Sequence, residues 1–205
     1  MKAPTRLYGV VLAALFTAVV GCAGRPSQPP QLLVLTPLVG GTDGPGRASA
    51  ALPGLVVGPI DLPAYTERAQ VLILTNAAEM HASTTARWAE PLDENFSRVL
   101  VDNLSRLLGT GQITTLGGVQ TQATVQITVE VTEFVTTDTG QARLTAYWQV
   151  LGDGGHALLA HEKLQYEAAV EGGDYPARAA ALSTALAALS RDIAGAVRRI
   201  ASHTE

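Results

Sequence analysis

Two runs in the second half of the chain alternate with period two. In TVQITVEVTEF (124–134), Val125, Ile127, Val129 and Val131 interleave with Thr124, Gln126, Thr128, Glu130 and Thr132. In ARLTAYWQVL (142–151), Leu144, Ala146, Trp148 and Val150 interleave with Arg143, Thr145, Tyr147 and Gln149. Such alternation predicts strands with one face buried and the other solvated or paired. GDGG (152–155) has the glycines of a tight hairpin turn. HALLAHEKLQYEAAV after it completes a predicted three-stranded antiparallel meander.

Two segments carry the helical spacing instead. Leu92, Phe96, Val99, Leu100, Leu104 and Leu107 repeat at three and four and form one apolar face. Pro91 fits the first helical position, where a missing N–H costs nothing. Asp93 and Glu94 suit the first turn, and Arg106 and Gly109 suit the end. A second helix is predicted from about Pro176 to Ser202, with Leu182, Leu186, Leu189, Ile193, Val197 and Ile200 as its stripe and alanine at most other positions.

The first half is more broken. QLLVLTPL (31–38) reads as a first strand ended by Pro37, and VGGTDGPGRASA as a loop. Leu55–Val57 reads as a short strand broken by Gly58-Pro59, DLPAYTERA as a polar turn, and QVLILT (70–75) and EMHASTTARWA (79–89) as strands. Two helices can cover the apolar face of these strands. The expected fold is a two-layer α/β domain: a mixed or antiparallel sheet with a C-terminal meander, under two amphipathic helices.

The N-terminus follows another logic. Lys2 and Arg6 precede an apolar run of 14 residues, Leu7 to Val20, which is short for a membrane span and suits a signal-peptide core. The run ends in Val19-Val20-Gly21-Cys22, which resembles a bacterial lipobox. On this reading residues 1–21 are a lipoprotein signal peptide, 22–30 a lipidated tether and 31–205 a single domain. Cys22 is the only cysteine, so no internal disulfide is available and the fold must rest on its core. The cysteine takes an anchoring role, and more than one acyl chain on it gives stable attachment. Ala23 follows where an aspartate would resemble an inner-membrane retention signal, which favours the outer membrane, periplasmic face.

Removal of 21 residues leaves 184 of 205, enough for one domain with a real core. Without Lys2 and Arg6, 12 basic residues face 18 acidic ones, a net charge of −6. An acidic chain with no basic run argues against nucleic acid and against electrostatic binding to anionic head groups.

Catalytic patterns are scarce. No GxSxG elbow, P-loop, HExxH or CxxC occurs. His156 and His161 flank one hairpin strand, five apart, and an odd spacing faces them opposite ways, so they do not easily share a metal. Asp93 and Glu94 point about 100° apart on a helix and read as N-terminal charges. The expectation is a non-enzyme without cofactor or metal.

Four stretches together are specific: VGPIDLPAYTERAQVLILT (57–75), RWAEPLDENFSRVLVDNLSRLL (87–108), LTAYWQVLGDGGHALLAHEKLQYE (144–167) and ALSTALAALSRDIAGAVRRI (181–200). Behind a lipobox, they resemble the PqiC family of ABC-type transport auxiliary lipoproteins. One departure stands in the first strand, which reads LLVL where the family shows paired tyrosines. The resemblance implies an outer-membrane lipoprotein that works with an MCE-domain, PqiB-like protein and ABC permease and ATPase subunits in lipid transport between membranes. Two other roles stay open: a lipid-carrying periplasmic shuttle, and a structural lipoprotein or outer-membrane assembly factor. A homo-oligomer also stays open, because exposed sheet edges can pair between copies.

Within that frame Trp88 has two readings. It packs under the first helix, or it joins Tyr65, Arg68, Arg87 and Glu90 in a partner-docking surface, since Trp, Tyr and Arg are enriched at binding hot spots.

Overall fold

The structure is a computed structural model that describes residues 29–39, 54–111, 113–116 and 123–203, the side chains of 123 and 124 excepted. Cys22, the lipobox and most of the 39–50 loop lie outside the described residues.

One eight-stranded sheet is organised around a single long strand. In chain order the strands are β1 (Gln31–Leu33), β2 (Gly54–Asp61), β3 (Gln70–Asn76), β4 (Glu79–Trp88), β5 (Ile113–Thr115), β6 (Ala123–Thr137), β7 (Gln141–Gly152) and β8 (Ala157–Ala169). The helices are α1 (Leu92–Leu108), between β4 and β5, and α2 (Tyr175–His203), after β8. β6 has 15 residues and so spans ~50 Å. One of its edges pairs antiparallel with β7, and β7 pairs antiparallel with β8. Its other edge is shared. β2 runs parallel to it from Gly54↔Ala123 to Asp61↔Glu130, and β3 joins it only at Ile73↔Thr136 and Leu74↔Thr137. β5 lies outside β2, and β4 and then β1 lie outside β3.

This is the expected two-layer α/β fold with its mixed sheet and C-terminal meander. Val125, Ile127, Val129 and Val131 of β6 and Leu144, Ala146, Trp148 and Val150 of β7 are all buried in one core. Phe96, Val99, Leu100 and Leu104 of α1 close it from above, with Leu182, Leu186, Leu189, Ile193 and Val197 of α2. Phe96 meets Phe134 edge to face, ring centroids 5.3 Å apart. Alanines 179, 181, 185, 187, 194 and 196 are also buried, and their small size lets α2 pack closely. α2 is long and apolar enough to cross a membrane, but 67% of its most hydrophobic stretch is buried within the domain.

Three local expectations are corrected, and one strand lies outside them. Pro91 is the N-cap rather than the first helical residue: its backbone (φ −51°, ψ 130°) is not helical, and its carbonyl accepts the Asn95 N–H at 3.0 Å. Gly58-Pro59 does not end β2. The strand continues to Asp61 through an irregularity in its register with β6. Only Gln31–Leu33 of the first predicted strand pairs with a neighbour, β4, and residues 34–38 leave the sheet. β5 was not expected; three residues with one apolar side chain on the core carry too little pattern to register. At the end of α1, Gly109 takes a left-handed conformation (φ 65°, ψ 31°), as its position suggested.

Candidate docking site beside Trp88

β2 leaves β6 at Glu130 and β3 joins it at Thr136, so among the described residues the β6 edge between them has no strand partner. The connection from β2 to β3 fills part of this gap. Its one turn of 3-10 helix, Ala64–Glu67, is held by Thr66, whose hydroxyl donates to the Pro63 carbonyl at 2.7 Å. That turn sets Tyr65 so that its phenol oxygen accepts the Phe134 N–H at 2.8 Å. A side chain thereby satisfies a backbone donor that no strand reaches. Burial raises the Tyr65 pKa above the usual phenol value, against the opposing effect of the Phe134 N–H, and the Glu133 carboxylate adds to the rise. The ring stays neutral at ordinary pH.

Trp88 ends β4. Its N–H donates to the Ala69 carbonyl at 2.7 Å, and its side chain is buried, 8% exposed, in the core next to Leu92. Its ring, Tyr65, Arg68 and Phe134 line a shallow cleft of about 20 Å³, room for about one water molecule and far too small for an acyl chain. Arg68 is exposed at its rim.

The five residues picked out as a docking surface therefore divide. Tyr65, Arg68 and Trp88 converge on the cleft. Arg87 does not line it: adjacent strand residues point to opposite faces, and Arg87 lies exposed between Leu32 of β1 and Gln70 of β3. Glu90 follows the strand end and pairs with Arg98 of α1. Trp88 itself is a core residue, so an exposed surface here is made of the arginines and Glu90 around it.

A second arrangement was missed by sequence reasoning. Residues 34–38 lie along the groove between α1 and α2, held by side chains rather than by a strand. The Leu35 N–H donates to Asn95 Oδ1 at 2.6 Å, Thr36 N–H to Ser183 Oγ at 3.1 Å, and Leu38 N–H to Asn103 Oδ1 at 2.8 Å. Arg106 Nη1 donates to the Leu38 carbonyl at 2.8 Å. Below the segment, Asn103 Nδ2 donates to Ser190 Oγ at 3.1 Å. Asn95, Asn103, Ser183 and Ser190 are all buried. The pairing of low with low and high with high numbers means that the two helices run parallel. The lengths agree: three extended residues cover ~10 Å, and the eight helical residues from Asn95 to Asn103 rise ~12 Å. Arg198 of α2 also donates to the Leu107 carbonyl at the end of α1. The available signal was weak. Asn95 and Asn103 flank the apolar face of one helix, and Ser183 and Ser190 sit seven apart in the leucine stripe of the other.

A model of the ABC-type transport auxiliary lipoprotein component matches residues 35–194, most of the chain. The chain belongs to this family. The matched span includes both the Trp88 cleft and the clamp on residues 35–38. The family is one of auxiliary transport lipoproteins and not of enzymes. No curated protein matches the chain. Among solved structures, an uncharacterised protein shares 20% identity and a TM-score of 0.67 over 82% of this chain and 98% of its own. A Xanthomonas campestris protein of family DUF330 shares 14% identity and a TM-score of 0.61 over 86% of this chain and 96% of its own. At these identities the likeness is one of fold.

Proposed function

We propose that the chain is the outer-membrane lipoprotein subunit of an inter-membrane lipid-transport system of the MCE/ABC type, with a binding and scaffold role. The supporting observation is the family match over residues 35–194 standing directly behind a lipobox. On this reading residues 1–21 are removed, Cys22 carries the acyl chains, and residues 22–30 tether the domain at the periplasmic face. An MCE-domain, PqiB-like protein and its permease and ATPase are the partners. Arg68, Arg87 and Glu90 make the contact surface, while Tyr65 and Trp88 hold the backbone beneath it in shape.

A pull-down of the lipidated protein from native membranes tests this, with Cys22→Ala as control and mass spectrometry of the eluate. An MCE-domain protein and a permease in the wild-type eluate support the reading. An eluate holding outer-membrane barrel proteins without them would favour an assembly factor instead.

A further inference from the structure

We propose that the outer side of residues 32–39 is a membrane-contact strip, which lays the domain against the lipid surface that holds its anchor; the inference rests on lipidation at Cys22. Alternation sets the sides of residues 32–35. Leu33 and Leu35 point inward and are 7% and 1% exposed, while Leu32 and Val34 point outward and are 66% and 44% exposed. Val39 is 94% exposed. Among the described residues, eight large apolar side chains are exposed, and three of them fall on these few positions.

Their place in the chain names the occupant. Gln31 is nine residues after Cys22, so the strip starts within ~30 Å of the acylated residue even when the tether is fully extended. No charged residue occurs from Pro26 to Thr42, so this stretch brings no charge to be desolvated at an interface. The backbone fits as well. The N–H groups of Leu35, Thr36 and Leu38 are already taken by Asn95, Ser183 and Asn103. Over residues 35–38 a partner strand would therefore find no free N–H to pair with, whereas a lipid surface suits satisfied backbone groups. Arg106 at Leu38 flanks the strip and suits a phosphate group, but Asp93 and Glu94 are exposed at the nearby start of α1. With both signs present, the fit is to a zwitterionic surface such as phosphatidylethanolamine rather than to a strongly anionic one.

The test gives the full mature chain a defined anchor by alkylating Cys22 with a tetradecyl maleimide. One chain of this length binds only marginally, so further contacts show in the partition. Sedimentation with phosphatidylethanolamine/phosphatidylcholine vesicles is compared for the parent and for Leu32→Ser/Val34→Ser/Val39→Ser. The triple variant should partition about tenfold more weakly, which the loss of only ~60 Å² of buried apolar area supplies. Leu158→Ser/Leu159→Ser, which removes two exposed leucines elsewhere, should partition like the parent. Equal partition of parent and triple variant, or equal losses in both variants, overturns the proposal. If the triple variant melts earlier than the parent, Val39→Asp alone, at an almost fully exposed side chain, decides by the same comparison. The anchor is supplied chemically, so these outcomes are independent of native lipidation, which the mass of the N-terminal peptide from native membranes reads separately.

Discussion

The Asn103 side chain donates to Ser190 Oγ at 3.1 Å while its carbonyl oxygen accepts the Leu38 N–H at 2.8 Å. One buried amide thus ties together α1, α2 and the segment that leads to the tether. Ser190 completes the chain by donating to the Leu186 carbonyl at 2.7 Å. Ser183 repeats the pattern one level down, accepting from Thr36 and donating to the Ala179 carbonyl at 2.7 Å. The two helices therefore present a polar track inside an apolar groove, suited to an extended backbone.

Asn103→Ala leaves the Leu38 N–H without its acceptor and Ser190 without its donor. The expected loss is about 2–4 kcal/mol of unfolding free energy by urea titration. Native-state hydrogen exchange should show the Leu38 amide opening well below the global free energy. If the Leu38 amide stayed protected at the parent level, a hydrogen bond to Asn103 would not be what holds the segment.

Tyr65→Phe separates packing from hydrogen bonding at the β6 gap. The ring remains, but the Phe134 N–H loses its acceptor, part-buried on an edge where no strand can replace it. A loss of about 1–2 kcal/mol is expected, with the fold unchanged by circular dichroism. A loss of under a few tenths would mean that water replaces the phenol without cost.

Trp88 and Arg87 should part in the same way. Trp88→Ala removes a buried indole and should cost about 3–5 kcal/mol. Arg87→Ala removes an exposed side chain and should stay within about 0.5 kcal/mol of the parent. Weakened partner capture by Trp88→Ala therefore says little about contact, whereas weakened capture by Arg87→Ala at unchanged stability points to the docking surface.

The contrast between the strands and the segment 34–38 shows what the sequence could reveal. Val125, Ile127, Val129 and Val131 announce both a strand and its buried face, because period two is a property of neighbours. The same holds for the helix stripe from Leu182 to Val197. The Leu35–Asn95 and Phe134–Tyr65 hydrogen bonds join residues 60 and 69 apart, and no local period encodes such a pair. Pro91 was misplaced by one position for a related reason: a proline has no N–H to miss at either the N-cap or the first turn. Trp88 could be read both ways because residue type reports hot-spot enrichment while only the sheet register decides which face is buried. Three of the four stretches that carry the family resemblance lie wholly within the family match, and the fourth, 181–200, lies within it as far as residue 194.

Stability should decline in alkali through two half-buried phenols, Tyr166 and Tyr65. The Tyr166 hydroxyl donates to Asp192 Oδ2 at 2.8 Å, and burial, this bond and the Asp192 and Glu162 carboxylates all push its pKa up, with Trp148 opposing. Tyr65 is shifted the same way, chiefly by burial. Both groups stay protonated in the folded chain above 10.0, the ordinary value at which the unfolded chain loses its phenol protons. The unfolded state then binds fewer protons than the folded one, so stability falls as pH rises past that value and is unaffected below it. The urea midpoint should drop between about pH 9 and pH 11, and drop less in Tyr166→Phe. An equal drop in the variant would remove Tyr166 from the account.

Two glycines with positive φ should respond differently to alanine. Gly109 sits at φ 65° with nothing within 4 Å of an added Cβ, so Gly109→Ala pays only for the left-handed backbone, about 1 kcal/mol. Gly58 is at φ 128°, and a Cβ there would lie 3.0 Å from Leu116 Cβ. That conformation strains any residue with a side chain, and the contact is tight enough that Leu116, directly after β5, must give by a few tenths of an ångström. Gly58→Ala should therefore cost about 2–3 kcal/mol or more, and the amide of Leu116, which donates to the Val57 carbonyl at 2.9 Å, should exchange faster. Equal costs for the two variants would show that β5 yields freely and that the close approach at Gly58 contributes nothing to its need for glycine.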